Sequence, residues 1–223
     1  MSRTPLLHRP SESRETHKKI IPISLMSETF KKFKALIEQI ESRLEIEKEQ
    51  PSQIRDNLLR AEIVMLVSAI DYYFYEVVKT GLIDIYNGDR DRTTMSDNLR
   101  IPFKYVIKAV SNTESTEWLS ESIVEVFGTS AFQSQKQIYY IVQLLNGDFS
   151  SFKKAIATSF STSYKEIEDQ LNEIFKRRNQ IAHNCDIPKD SDIPQEINYD
   201  YTKEKCSFVA MFIENFNKYI LLP

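Results

Sequence analysis

Glycine is scarce in this sequence, and proline is scarce away from the ends of the chain. Only four glycines and eight prolines occur in 223 residues, and Pro5, Pro10, Pro22 and Pro223 lie near the termini. These two residue types form the tight turns and strand ends of β-rich proteins. Their scarcity therefore favours long helices and an all-α fold.

No apolar segment is long enough to cross a membrane. The longest apolar run, residues 63–70, is interrupted by Ser68 and followed by Asp71, whereas a spanning helix needs about 20 apolar residues. The N-terminus is polar through Lys19 and lacks the apolar core of a secretory signal. We therefore expect a cytoplasmic protein with no membrane partner.

Cysteine content, motifs and net charge limit the possible chemistry further. Cys185 and Cys206 are too few for a disulfide framework, and without a Cys-x-x-Cys we interpret them as incidental thiols and predict no metal site. The chain also lacks a Gly-rich phosphate loop, His-Glu-x-x-His and Gly-x-Ser-x-Gly, so we expect no cofactor. A net charge of -3 means that any contact with nucleic acid must be local.

The apolar pattern predicts one helical domain, residues 25–223, after a mobile N-terminal tail, residues 1–24, that contains few apolar side chains. A first helix should follow Ser27 and a second, apolar on most sides, should occupy residues 52–86 at the centre of a bundle. After a polar connector, further helices are predicted over residues 101–110, 116–127, 132–145, 149–160, 163–183 and 201–221.

The predicted helix over residues 163–183 carries a charge on its apolar side. At about 100° per residue, Arg178 falls in the middle of the apolar stripe, whereas Arg177 points away and should be a solvated surface residue. A buried guanidinium requires a carboxylate, a phosphate or water, because an unpaired buried charge costs several kcal/mol. Arg178 is therefore a candidate functional residue.

His183 is the candidate for proton transfer near neutral pH. The other two histidines, His8 and His17, lie in the predicted tail, so acid or base work by imidazole in the folded part must use His183. Asn179 is four residues earlier and shares its flank of the helix. Arg178 is roughly 140° away around the helix and could approach His183 only through its long side chain.

The segment Arg177-Arg178-Asn179-Gln180-Ile181-Ala182-His183-Asn184 resembles the signature of HEPN domains, an arginine followed within a few residues by a histidine. The segment Leu66-Val67-Ser68-Ala69-Ile70-Asp71-Tyr72-Tyr73 is similar to a helix of HEPN proteins of the RiboL-PSP type, where a small polar residue precedes an acidic one. The order of the two helices agrees as well, and the resemblance covers roughly residues 25–223.

The resemblance implies an all-α, HEPN-like helical bundle with extra helices between its two core helix pairs. It also implies a homodimer in which the Arg-His elements of two protomers face one cleft. Many such proteins are metal-independent endoribonucleases that act on RNA as toxins or in phage defence, with an antitoxin or defence protein as a partner. Cys185 stands where HEPN toxins that are modified on tyrosine carry that tyrosine, so we do not expect this mode of control.

The resemblance also implies a role for each matching residue. Arg178 would hold the phosphate, Asn179 would add a hydrogen bond, and His183 would exchange protons with the attacking or leaving oxygen. Asp71, with Ser68 and Tyr75 on the same flank of its helix, would orient Arg178 or Asn179 from the facing helix. The candidates for substrate binding are Lys176, Arg177 and Tyr75.

Other interpretations of these residues remain open. Arg178 and Asp71 could form a buried structural salt bridge, with His183 merely favoured by the helix dipole. The fold could also be a non-catalytic module that binds RNA or a protein. The aromatic run over residues 72–75 is expected to be core, with Tyr75 the least certain, and the basic clusters over residues 31–34 and 153–154 are expected to be solvated helix faces.

Overall fold

The computed structural model describes residues 24–112, 115–128 and 132–221. Within these ranges the backbone forms nine helices and no strand, which confirms the predicted all-α fold. The helices are α1 (Ser24–Glu47), α2 (Ser52–Asn87), α3 (Thr94–Asp97), α4 (Phe103–Ser111), α5 (Glu117–Phe127), α6 (Gln135–Leu145), α7 (Phe149–Phe160), α8 (Tyr164–Asn184) and α9 (Tyr199–Leu221).

Helix α2 is the centre of the bundle, as its apolar sequence predicts. It packs against α1, α5, α6, α8 and α9, and its Tyr73 and Phe74 are completely buried. The ring of Phe74 lies 5.0 Å from that of Phe216 on α9, in an edge-to-face arrangement. Although α2 is long and largely buried, none of the described helices is apolar enough over a sufficient length to cross a bilayer.

A glycine allows close packing between α2 and α6. A Cβ atom added at Gly81 would lie 2.6 Å from Leu145 Cδ2, which is closer than carbon atoms approach in a packed core. This contact fixes the distance between the central helix and one of the helices that follow it in the chain.

The start of the first helix and the connector after α2 differ from the sequence prediction. Helix α1 begins at Ser24 rather than after Ser27, so the predicted tail over residues 1–24 otherwise lies outside the described residues. The polar connector after α2 contains the short helix α3, which Thr93 caps by accepting a hydrogen bond from the Ser96 N–H at 3.0 Å. A single turn with a local cap has no apolar periodicity to reveal it in the sequence.

Helix α8 positions the candidate site. Ser163 caps its N-terminus by accepting a hydrogen bond from the Glu166 N–H at 3.2 Å. The Glu166 carboxylate accepts a hydrogen bond from the Thr162 hydroxyl. The apolar side of α8 packs against α2 and α7, which places its C-terminal end beside the first half of α2.

Candidate active site

The last two turns of α8 present three polar side chains on the outer side of the bundle. Asn179 and His183 are exposed, and Arg178 is half-buried at the edge of the helix interface. Arg178 Nη1 donates a hydrogen bond to Asn179 Oδ1 at 3.0 Å. The imidazole of His183 has no hydrogen-bond partner among the described residues. The guanidinium and the Asn179 amide are therefore in contact, and the imidazole lies one helical turn beyond Asn179.

The Arg178 guanidinium makes only one hydrogen bond among the described residues, from Nη1 to the adjacent Asn179. Its Nε atom is buried and has no hydrogen-bond acceptor there. Leaving a buried donor unpaired costs about 1–3 kcal/mol. Because Nε is shielded from solvent, an incoming anion could reach this guanidinium only through its Nη atoms.

Asp71 does not form the ion pair with Arg178 that the sequence suggested. Its carboxylate accepts hydrogen bonds from the Phe132 N–H at 2.6 Å and from the Gln133 side-chain amide. Burial raises the pKa of Asp71, while these hydrogen bonds and the nearby positive charge of Arg178 lower it. Asp71 therefore anchors the start of the segment that leads into α6, and its effect on Arg178 is a through-space attraction.

The expectation that Arg177 is a solvated surface residue is wrong. Its side chain is only 12% exposed, and Nη2 lies 2.8 Å from Asp186 Oδ2 and 3.0 Å from the Glu196 carbonyl oxygen. The helical wheel treats every side chain as a radial vector, whereas a guanidinium on a long stem can fold back beneath the following loop. The fold thus uses the donors of Arg177, and the prediction that it binds substrate loses its support.

Asp186 is the centre of an ion cluster that sequence reasoning missed. Its side chain is completely buried, and Oδ2 also accepts from Arg60 Nε at 2.9 Å. Arg60 lies on α2, 126 residues before Asp186, so no local spacing could reveal the pairing. The only local signal was an aspartate two residues after the end of α8, within ten residues of two neighbouring arginines.

The ion cluster around Asp186 also stabilises the turn that follows α8. Cys185 and Asp186 have φ angles of 51° and 63°, a left-handed conformation that costs non-glycine residues about 1 kcal/mol each. The Asp186 N–H donates to the Gln180 carbonyl at 3.0 Å, and Arg60 Nη2 donates to the Gln195 carbonyl at 2.7 Å. These contacts tie the C-terminal end of α8 to α2 and to the loop before α9.

Comparison with known protein families agrees with this arrangement of helices. The model of the RiboL-PSP-HEPN family matches residues 27–222. The chain belongs to the RiboL-PSP-HEPN family. No curated protein and no solved structure gives a match. The match to this HEPN family contains α2 and α8 together with all the residues of the candidate site.

The remaining predicted site residues of the HEPN chain lie on two helices. Ser68 on α2 is exposed and donates its hydroxyl to the Val64 carbonyl of its own helix at 2.9 Å. Tyr75 is half-buried against the core, and burial raises the pKa of its hydroxyl. Lys176 on α8 is exposed. Of these three residues, Lys176 is the one that leaves its charged group free in solvent.

The thiols and acidic groups form no metal-binding constellation in the described part of the HEPN chain. No cluster of three or more histidine, cysteine, aspartate or glutamate side chains occurs there. Cys185 is free and exposed, and Cys206 is free and buried. Burial raises the pKa of Cys206 to about 12, so this thiol stays protonated and is a poor nucleophile at neutral pH.

Proposed function

We propose that this chain is an endoribonuclease of the HEPN type that cleaves RNA without a metal ion. Arg178, Asn179 and His183 are the proposed catalytic residues, and Lys176 is the proposed contact to the RNA backbone. Asp71 is a positioning residue that acts on Arg178 only through space. A toxin or phage-defence role, with an antitoxin or defence protein as partner, is part of the proposal.

The observation that carries this proposal is that Arg178 forms no ion pair among the described residues and lies on the last two turns of α8 with the exposed His183. Two adjacent arginines occupy the end of α8, yet the fold uses only one of them, because Arg177 donates to Asp186, Gln195 and Glu196. Arg178 has no acidic partner among the described residues and donates one hydrogen bond, to Asn179. A guanidinium with free donors next to an imidazole is suited to a phosphodiester.

The proposed reaction is an attack of a ribose 2′-hydroxyl on the adjacent phosphorus. A bond forms between the 2′-oxygen and phosphorus, and the bond from phosphorus to the 5′-oxygen breaks. The 2′-hydroxyl proton passes to an imidazole acting as base, and the 5′-oxygen receives a proton from an imidazole acting as acid. The products are a 2′,3′-cyclic phosphate and a free 5′-hydroxyl, and the step consumes no water.

Arg178 and Asn179 would stabilise the charge that develops during this step. Negative charge grows on the non-bridging phosphate oxygens as the 2′-oxygen approaches, and a guanidinium can donate two parallel hydrogen bonds to them. Asn179 already accepts from Arg178 Nη1 at 3.0 Å, which restricts the orientation of the guanidinium. The Asn179 amide group keeps its own N–H donors for the same oxygens.

A homodimer would complete the site by providing two imidazoles. Because His183 of one chain is exposed without an orienting partner among the described residues, a second copy could place its own Arg178 and His183 across the same cleft. One imidazole would then serve as base and the other as acid. Measurement of the mass in solution tests this part of the proposal, and a monomer at assay concentrations would contradict it.

The test of activity compares the parent with four variants in a buffer that contains EDTA. We expect the parent to produce 2′,3′-cyclic phosphate and 5′-hydroxyl ends, and Arg178→Ala and His183→Ala to lose about 100-fold or more of the rate. Arg178→Lys should be strongly impaired, because an ammonium cannot donate two parallel bonds. Lys189→Ala, an exposed residue of the loop after α8, is the matched control and should cut like the parent.

A ribonuclease of this kind can be inactive until it is triggered, so the same variants are also expressed in cells. Growth inhibition by the parent that disappears in His183→Ala would support the enzyme. The proposal is wrong if neither assay distinguishes His183→Ala from the parent.

The alternative is a non-catalytic HEPN module that binds RNA or a protein partner through the same surface. The observation that favours it is that His183 lacks an orienting hydrogen bond among the described residues, whereas catalytic imidazoles usually have one. RNA binding without turnover, unchanged by His183→Ala but weakened by Arg178→Ala, would support the module over the enzyme.

A further inference from the structure

A second surface groove lies at the opposite end of α8 from the candidate active site. It has a volume of about 470 Å³ and is lined by the first turns of three helices, within the size range of ligand sites in proteins. Its lining residues are Gln135, Lys136, Tyr139, Phe149, Lys153, Tyr164, Lys165 and Glu168. Basic and aromatic side chains dominate this set.

The aromatic side chains of the groove form one connected cluster. The ring of Phe149 lies 5.0 Å from that of Tyr139 and 5.8 Å from that of Tyr164, both edge to face. Phe149 and Tyr164 are half-buried, whereas Tyr139 is 45% exposed. Tyr139 therefore exposes part of its ring in the groove, and its contact with the packed ring of Phe149 holds it in place.

The positive charges of the groove are largely uncompensated. Lys136 and Lys153 are exposed and have no acidic partner among the described residues, and Lys153 Nζ lies 5.6 Å from the Phe149 ring centroid. Only Lys165 is paired, with Asp169 at 2.8 Å and Glu168 at 3.4 Å. The groove thus presents two free ammonium groups beside Tyr139, a combination that fits a phosphate and a base.

Two further features favour an anionic ligand. Helices α6, α7 and α8 all begin at this groove, so their partial positive ends point toward it. Gln135 accepts a hydrogen bond from the Tyr164 hydroxyl at 3.0 Å, and its buried Nε2 has no acceptor among the described residues. A small rotation of this amide would offer the donor to a ligand oxygen.

A polar stripe on α8 connects the groove with the candidate active site. At 100° per residue, Lys165 and His183 have the same direction on the helix and are about 27 Å apart along its axis. The exposed polar residues that lie within about 40° of this direction are Lys165, Asp169, Asn172, Lys176, Asn179 and His183, and the one acidic member, Asp169, is paired with Lys165. One strand could therefore contact both sites without passing around the helix.

We propose that this groove is a remote subsite for single-stranded RNA, with one base stacked on Tyr139 and phosphates bound by Lys136 and Lys153. The strand continues along the polar stripe of α8 to the candidate active site, so the inference rests on the proposed ribonuclease function and extends it to how substrate is held. Specificity for unpaired RNA follows, because a paired base cannot present its face to Tyr139.

Neighbouring lysines on α7 provide a matched test. Lys153 lines the groove and Lys154 does not, although both are exposed, so Lys153→Glu and Lys154→Glu make the same charge change one residue apart. Binding of a fluorescent single-stranded RNA of about 12 nucleotides is measured on the His183→Ala background, which prevents cleavage. We expect Lys153→Glu to weaken RNA binding about tenfold and to make the affinity less dependent on salt concentration. Lys154→Glu should change the affinity less than about twofold.

The stacking on Tyr139 and the requirement for a longer RNA strand are tested in the same binding assay. Tyr139→Ala should weaken binding about tenfold, and Tyr139→Phe should restore it, because the ring supplies the stacking. An RNA of about three nucleotides, too short to contact the groove and the active site together, should bind the parent much more weakly than the longer RNA. Uridine monophosphate is the probe for a free nucleotide, and we expect it to bind much more weakly than the RNA.

Several outcomes would overturn the subsite. They are equal binding by Lys153→Glu and Lys154→Glu, or a free nucleotide that binds as tightly as the longer RNA. Circular dichroism of each variant shows whether it is folded. If Lys153→Glu weakens binding while His183→Ala cuts RNA like the parent, the subsite stands and the proposed catalytic role fails. If His183→Ala abolishes cutting while both lysine variants bind equally, the reverse holds.

Discussion

Arg177 donates from Nη2 to Asp186 Oδ2 at 2.8 Å, which joins the last turns of α8 to the loop that follows them. The carboxylate of Asp186 is completely buried and also pairs with Arg60 at 2.9 Å. Its other oxygen, Oδ1, is buried without a hydrogen-bond partner among the described residues. One aspartate thus pairs with two guanidinium groups from different helices, and the fold around the candidate active site depends on it.

Removal of this carboxylate should destabilise the protein strongly. Asp186→Ala leaves two poorly hydrated guanidinium groups without their anion, for which we expect a loss of about 3–5 kcal/mol in the free energy of unfolding. Urea denaturation measures it. The control is Asp190→Ala in the same loop, an exposed residue whose replacement should cost less than about 0.5 kcal/mol. A stable Asp186→Ala protein would show that the cluster contributes little.

The two adjacent arginines should respond in opposite ways. Arg177→Ala removes a partner of buried Asp186 and should lower the free energy of unfolding by about 3 kcal/mol. Arg178→Ala removes a side chain without an ion pair and should cost less than about 1 kcal/mol while abolishing RNA cleavage. Thermal denaturation and cleavage assays on both variants separate the effects. An Arg178→Ala protein as unstable as Arg177→Ala would indicate a structural role.

Asp71 should be coupled energetically to Gln133 rather than to Arg178. Its carboxylate accepts from the Gln133 amide, and for Asp71→Ala and Gln133→Ala we expect a coupling energy of about 1 kcal/mol. The corresponding cycle with Arg178→Ala should give less than about 0.5 kcal/mol, because that pair interacts only through space. Unfolding free energies of the single and double variants test this prediction. A larger coupling energy between Asp71 and Arg178 would support the ion pair that the sequence suggested.

Glu47 should make the stability of the protein depend on pH. Burial, followed by the charge of Glu62, raises its pKa from 4.5 to about 7. Between these values the folded protein keeps a proton that the unfolded chain has released, so stability is lost as the pH rises through this window. Glu47→Gln should therefore stabilise the protein by about 1–2 kcal/mol near pH 8, after allowance for solvent screening, and have little effect near pH 4.

The matched control for this prediction is Glu49→Gln on the same stretch of chain. Glu49 is exposed, so the exchange should leave the unfolding free energy unchanged across the same pH range. Urea denaturation at several pH values compares the two variants with the parent. A Glu47→Gln protein whose stability varies with pH as much as that of the parent would contradict the assignment.

Much of the fold followed from local patterns in the chain. The helices α2, α6, α7, α8 and α9 lie close to where apolar spacing placed them. Such patterns extend over a few helical turns, so neighbouring residues are enough to reveal them. The short helix α3 was missed because a single capped turn has no such period.

The partners of the charged side chains did not follow from local patterns. The sequence suggested that Arg178 pairs with Asp71 and that Arg177 is solvated. In the structure Arg177 pairs with Asp186, and the Asp71 carboxylate accepts a hydrogen bond from the segment before α6. Flexible side chains can reach several neighbours, and the helical wheel does not show which neighbours other parts of the chain bring near.

By itself, the sequence determined that this protein is an all-helical HEPN bundle, with a central apolar helix and with Arg178, Asn179 and His183 at the end of α8. Only the tertiary structure decided which of the two adjacent arginines forms the structural ion pair with Asp186. It also gathered the first turns of α6, α7 and α8 around one groove. The physical reason is that helix formation is a local property, whereas the pairing of charges depends on packing contacts between residues as distant as Arg60 and Asp186.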